Sequence, residues 1–192
     1  MIPEEYVENF YKKYSEEFNK NTNFSYVSAI WPSRIEDGVA LIKIIEKYNI
    51  QSILEVGTWM GWSGLLMAEH PNIKKFKAID IHKDMNISYF NPSHLLSEKE
   101  EIGKMLKFSD KTELEFCNSL KWKSDEKFDM VFIDANHDYE YVKHDTENIG
   151  LKNATKIIAW HDYPNESGVT DYLNQSGLNF QKMGGVVVYY EI

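Results

Sequence analysis

Several apolar runs of this chain end in groups that can carry a charge or a proton: Glu55, Asp80, Asp134 and the pair His161-Asp162. His137 follows shortly after Asp134. If the runs are strands of an open α/β sheet, their carboxyl ends lie along one edge, where such sheets bind ligands. A row of acids there is costly unless ligands, cations or hydrogen bonds satisfy it. Any one of these residues could merely cap the helix that follows, but together they describe a site. Carboxylates at strand ends suit ribose hydroxyls or a divalent cation. Imidazoles titrate near neutrality and suit proton transfer. His137 is therefore a candidate base, with a helix-entry residue bonding a loop carbonyl as the alternative. Asp138 is read as the cap of the next helix.

The most informative stretch is Ile53-Leu54-Glu55-Val56-Gly57-Thr58-Trp59-Met60-Gly61-Trp62-Ser63. It reads as a buried strand, a tight glycine loop and a helix N-terminus. Such a loop lets a backbone approach a nucleotide-like ligand. Asp80 follows it by roughly 20 residues, the separation at which an acid meets ribose hydroxyls. A dinucleotide fingerprint, G-x-G-x-x-G, needs a glycine at position 59. Tryptophan stands there and would crowd a pyrophosphate, so the loop suits a cofactor without phosphates at that point.

The elements that must position these groups follow from periodicity. Pro3 opens an amphipathic helix carrying Val7, Phe10, Tyr11, Tyr14 and Phe18. Its expected roles are packing on the sheet edge, covering the substrate site or forming a homodimer. A polar link spans Asn19 to Phe24. Ser33 and Glu36 have capping-box spacing ahead of a helix ending near Asn49. Strands are expected over 52–56, 76–79, 113–116, 128–133 and 156–160. Helices are expected over 61–69, 139–149 and 169–173. The segment from Ile81 to Leu95 is weakly periodic. Ser97 and Glu100 repeat the capping spacing before a helix with Ile102, Met105 and Leu106. The end turns at Gly184-Gly185 as a hairpin. Alternating strands and helices give an α/β fold, a doubly wound, mainly parallel sheet with a C-terminal antiparallel hairpin. We expect one domain over 1–192, with 1–34 as a helical extension and 35–192 as the catalytic core.

Composition narrows the classes. The chain has 192 residues and a net charge of -9. It lacks the basic face that duplex binding requires, so no nucleic-acid partner is expected. One cysteine, Cys117, excludes an intrachain disulfide and fits a reducing compartment. Neither a signal peptide nor a run of transmembrane length is visible, so a cytoplasmic protein with no membrane partner is expected. Cys117 is read as a buried small hydrophobe, and His70, His82, His94 and His144 as loop or helix-surface residues. Trp59 and Trp62 are read as packing the loop, and Trp160 as lining an acceptor pocket or filling core.

At this point the chain resembles the class I S-adenosylmethionine-dependent methyltransferases. Glu55, Gly57 and Gly61 match their first motif, E-x-G-x-x-x-G. The stretch from Phe128 to Tyr139 looks like the F-D-x-x-F-I-D-G-x-H-x-Y signature of a small-molecule, sugar O-methyltransferase branch. His161-Asp162-Tyr163 matches its next signature, H-D-Y. The resemblance implies a Rossmann-like methyltransferase fold and S-adenosylmethionine as cofactor. It implies that Glu55, Gly57, Thr58, Gly61 and Ser63 surround the methionine part and that Asp80 holds the ribose. Asn118 and Ser119 would lie near the adenine, and Asp134 beside the sulfonium and acceptor.

In some relatives the histidine matching His137 is the base and strand-end carboxylates hold magnesium. Asp134, Asp162 and His161 are the matching positions for Mg2+ or another divalent cation. His161 departs from the acid of some relatives. Either the metal takes more water, or His161 is a second base or substrate contact. Ala135 replaces a usual glycine, which narrows the approach there. The acceptor implied is a hydroxyl of a small molecule, a sugar or sugar nucleotide for preference. A non-catalytic cofactor-binding subunit of a methyltransferase complex is the alternative, and a nicotinamide oxidoreductase is disfavoured by Trp59.

Overall fold

A computed structural model describes residues 1–14, 24–81 and 102–192. Helix α1 (Pro3–Lys13) and helix α2 (Phe24–Lys47) precede the sheet. Strand β1 (Ser52–Val56) passes through the glycine loop into α3 (Trp62–Glu69), and β2 (Lys75–Asp80) follows. A 3₁₀ turn (Lys104–Phe108) leads to β3 (Thr112–Phe116), and a second (Ser119–Lys121) leads toward β4 (Phe128–Ile133). Helix α4 (Tyr139–His144) continues through a π turn (Asp145–Gly150) and a last helical turn (Leu151–Asn153) into β5 (Ala154–Trp160). Helix α5 (Ser167–Gln175) and the hairpin β6 (Gln181–Gly184) and β7 (Val187–Glu191) complete the chain.

The sheet order is β3-β2-β1-β4-β5-β7-β6. Strands β1 to β5 are parallel, and β7 runs antiparallel to both β5 and β6. The order reverses between β1 and β4, which pair directly, so the crevice of a doubly wound sheet opens at their carboxyl ends. Inner strands are apolar on both faces, as a parallel sheet covered by helices demands. One core layer joins Ile53, Phe76 and Phe132 to α1, α2 and α3, and the other joins Leu54, Val131 and Ile158 to α4 and α5.

Several local expectations give way to tertiary context. Helix α2 starts at Phe24, well before Ser33, because the helical stretch continues upstream of the capping spacing. At its other end Asn49 takes a left-handed conformation (φ 47°), a common helix stop. The helix expected around Ile102 is only the short 3₁₀ turn. Its amides are turned to the glycine loop instead, with Met105 N donating to Met60 O at 2.9 Å. The helix expected over 139–149 is interrupted by the π turn, where Asp145 and Thr146 are fully buried against inward partners.

Trp160 is core, with Nε1 donating to Thr146 Oγ1 at 2.9 Å. His70 is no surface residue: it is buried at the end of α3, edge-on to Tyr6, and burial lowers its pKa. Cys117 is only half-buried, and desolvation pushes its thiol up to about 12.

The aromatic face of α1 is turned into the chain's own core. Val7, Phe10, Tyr11 and Tyr14 are buried, and Tyr6 Oη donates to Leu66 O at 3.0 Å. That helix therefore packs its described aromatic residues over α2 and α3. The link from Asn19, Phe18, His82, His94, most of the Ile81–Leu95 segment and the Ser97–Glu100 spacing lie outside the described residues. Among the described residues no helix is long and apolar enough to cross a membrane.

Candidate active site

The carboxyl ends of β1, β2, β4 and β5 bring together most of the residues singled out by the sequence. On the β1–β2 side, Glu55 is fully buried and takes a 2.6 Å hydrogen bond from Ser63 Oγ at the start of α3. Its Oε2 has no hydrogen-bond partner. Burial, with the charges of Asp134 and Asp80 added, pushes Glu55 up to about 8.

Asp80 reaches back to the glycine loop. Its Oδ2 accepts from Thr58 N at 2.8 Å and Trp59 N at 2.7 Å, and its Oδ1 accepts from Ile81 N at 2.6 Å. Burial still raises its pKa above the usual value against those three hydrogen bonds. Each carboxylate oxygen offers about two acceptor positions, so one on Oδ1 is left.

The loop amides that would cradle a phosphate are thus turned inward. Gly57 N donates to Ile79 O and Gly61 N to Thr58 O. Trp59 is held in the left-handed region at φ 47°, unusual for a bulky residue. Gly57 has φ 83°, and a Cβ there would stand 2.3 Å from Asp134 O. Its lack of a side chain therefore serves the close passage of β4, not only the approach of a ligand. Asn118 Oδ1 accepts from Leu120 N within the turn after β3. Near Ser119 lies the buried Asp145, whose carboxyl is pushed up by burial.

The β4–β5 side holds two histidines between three acids. His137 Nε2 lies 3.0 Å from Asp162 Oδ2 and 3.7 Å from Asp134 Oδ1. His161 Nδ1 lies 3.1 Å from Asp162 Oδ2 and 3.5 Å from Asp134 Oδ1, without a directed hydrogen bond to either. Its Nε2 lies 3.2 Å from Asp37 Oδ2. Contacts with Asp134 and Asp162 push His137 up to about 10 against burial. Burial alone would lower His161, but the charge of Asp134 and its contacts with Asp162 and Asp37 push it up to about 11. Asp162 is raised by burial, yet the two histidines hold it well below the usual carboxylate range. It also sits at φ 65°, backbone strain of the kind that gathers at functional sites.

Ligand atoms of Asp134, His161 and Asp162 all lie within 4.8 Å of one another, a spacing open to a cation. Two carboxylates and an imidazole fit a divalent cation that tolerates nitrogen better than magnesium does. Glu55, Gly57, Thr58, Ser63 and Asp80 gather on one side and Asp134, His137, His161 and Asp162 on the other. Asn118 and Ser119 stand off at the turn after β3.

Asp37 escaped sequence reasoning. It lies on α2 beside Glu36, whose capping spacing drew attention to the wrong acid, since Glu36 is exposed. The available signal was an acid preceding a glycine on an otherwise apolar helical face.

A family model described as a methyltransferase domain matches residues 54–163. No curated protein matches the chain. Among solved structures, the chain is similar to a Staphylococcus aureus protein assigned as a caffeoyl-CoA O-methyltransferase, with TM-score 0.56 and 16% identity over 95% of this chain and 98% of that one. A Bacillus cereus O-methyltransferase solved in complex with SAH gives 0.53 and 15%, covering 79% of this chain and 78% of that one. The N-methyltransferase NodS of Bradyrhizobium japonicum gives 0.58 and 13%, covering 84% of this chain and 97% of that one. At these identities the likenesses show the fold.

Proposed function

The chain belongs to the methyltransferase-domain family, and we propose that it is an S-adenosylmethionine-dependent O-methyltransferase of a small hydroxylated molecule. The observation that carries this reading is the pair of buried acids Glu55 and Asp80 beside Asp134 at the switch of strand order, raised by burial first and by mutual repulsion second. A positively charged ligand relieves that repulsion, whereas a phosphate meets anions and loop amides already spent on Asp80. The orphaned Oε2 of Glu55 fits the same ligand, because a buried acceptor without a partner is costly.

When bound, S-adenosylmethionine supplies a methyl group on a positive sulfur. In this reading Glu55, Gly57, Thr58, Gly61 and Ser63 surround its methionine part. Asp80 takes a ribose hydroxyl on its remaining Oδ1 position, and Asn118 and Ser119 border the adenine. Asp134 stands where the charge of the sulfur and the acceptor oxygen meet. The protein's main task is then to hold that oxygen in line with the methyl carbon.

An alcohol needs its proton removed, and His137 is the candidate base. Against Asp134 and Asp162 alone, His137 stays protonated at neutral pH. A divalent cation held by Asp134, His161 and Asp162 would neutralise the same carboxylates and return His137 toward the neutral form a base requires. The sugar or sugar-nucleotide acceptor rests on the resemblance of 128–139 and His161-Asp162-Tyr163 alone. The assembled cluster argues against a binding subunit without catalysis.

Calorimetry with S-adenosylmethionine and S-adenosylhomocysteine, with and without Mg2+ or Mn2+ and with NAD as control, tests the reading. Binding of both sulfur compounds and none of NAD is expected. Folded protein that binds neither sulfur compound overturns it. A panel of hydroxylated acceptors, sugars included, then addresses the substrate class.

A further inference from the structure

Asp37 is the one acid of the cluster that comes from outside the strand ends. It stands on α2, and its Oδ2 meets His161 Nε2 at 3.2 Å across a sequence separation of 124 residues. Its Oδ1 accepts from Val186 N at 3.0 Å, in the turn between β6 and β7. That turn closes on the carboxylate: Gly185 has φ 52°, and a Cβ there would come within 2.1 Å of Asp37 Oδ1. Both side chains are largely covered, Asp37 at 14% and His161 at 22% exposure, so water competes little for their contact. Phe132 stands edge-on to the imidazole, with ring centroids 6.3 Å apart. The turn therefore holds Asp37, and Asp37 meets one ring nitrogen.

A carboxylate only accepts hydrogen bonds, so the imidazole nitrogen hydrogen-bonded to Asp37 carries a hydrogen. The other nitrogen, Nδ1, is the one turned toward Asp134 and Asp162. We propose that Asp37 is a positioning residue for His161. It holds the proton on Nε2, so that Nδ1, which makes no directed bond to Asp134 or Asp162, is the nitrogen offered as a ligand between them. A partner that fixes the tautomer of a working histidine is a recurrent device, whether the histidine binds a metal or moves a proton. Nothing else in the described residues faces Nε2 at hydrogen-bond distance. The effect on methyl transfer rests on the function proposed above, whereas the placement of the proton does not.

Asp37→Asn separates this role from a merely structural one. The asparagine carbonyl can keep the Val186 amide, which turns its own amide, a donor, toward Nε2. Two donors then face each other, and the neutral ring must move its proton to Nδ1. Long-range nitrogen–proton spectra of histidine-labelled protein read that placement directly. Once the ring is brought to its neutral form, Nε2 keeps its proton in the unsubstituted protein and loses it in the asparagine variant. Under the proposed function the variant also loses about 10–100-fold in kcat, with cofactor affinity and acceptor KM unchanged.

A neutral His161 protonated on Nδ1 in the unsubstituted protein overturns the proposal. So does a variant with unaltered proton placement. If the variant fails to fold, the spectrum of the unsubstituted protein decides alone. A protein that binds no sulfur cofactor, but whose Nε2 keeps its proton, would sink the proposed function and leave the role of Asp37 standing.

Discussion

The two halves of the strand-end edge are both rich in acids, yet they settle their charge in opposite ways. At β1 and β2, no cationic side chain among the described residues meets Glu55 or Asp80, and burial raises both. At β4 and β5, Asp162 sits between two histidines that hold it low, and both histidines are raised in return. The first half is short of positive charge, so it is prepared to receive a cationic ligand. The second is compensated from within, so a cation entering there must displace protons. In the proposed function, the first half is the cofactor seat and the second the proton-handling acceptor seat, divided by Asp134.

The largest test removes the seam between the halves. Gly57→Ala would drive a methyl group into the Asp134 backbone from a positive-φ position. Strain and overpacking together should destabilise the fold by about 3 kcal/mol or more, read by urea unfolding. A fully stable variant would mean that β1 and β4 are not held this closely.

Next, His137→Ala should lower methyl transfer by about 10²–10⁴-fold while cofactor affinity holds, because the residue belongs to the second half only. An unaltered rate would remove the base assignment. Asp162→Asn weakens the contacts that compensate that half, and charged hydrogen bonds of this kind are worth ~1.5–3 kcal/mol. Transfer should drop about 10–100-fold, and chelator should slow the unsubstituted enzyme. A rate indifferent to both would leave the Asp134, His161 and Asp162 cluster without a metal role.

The last test lies in the first half and is read per pH unit. Glu55 is raised from 4.5 to about 8, so the folded chain keeps a proton that the unfolded chain releases across that window. Stability therefore falls as pH rises through it, by at most about 1.4 kcal/mol per pH unit for one proton. Glu55→Gln should flatten that slope in melts recorded between these limits. The contribution of His137, raised from 6.5 to about 10, is full below 6.5 and lost as pH rises through about 10, so it continues the decline in both proteins. An identical slope below pH 6.5 with and without Glu55 would contradict the burial assigned to it.

Most of the fold was legible because its signals are local. The strand from Phe128 to Ile133 appears at its expected bounds, since a doubly covered strand is a continuous apolar run. The hairpin at Gly184-Gly185 was readable from turn chemistry, although Gly185 is needed there because Asp37 leaves no room for a side chain. Local signals also misled. The Ser33–Glu36 spacing lies inside α2, and the helical pattern beyond Tyr139 hid a π turn around a buried acid. Asp145 and His70 show the same blind spot: a polar residue alone does not announce that it will be buried.

By itself the sequence determined which residues end the strands and hence that Glu55, Asp80, Asp134, His161 and Asp162 would share one edge. Strand period and sheet handedness convert position along the chain into position along that edge. Only the tertiary structure decided how each acid is satisfied. Asp80 turned to the loop amides, Glu55 went underground beside Ser63, and Asp37 came from a helix far earlier in the chain to meet His161. The last of these depends on the packing of α2 against the terminal hairpin. Packing couples residues far apart in sequence, and no local period records it.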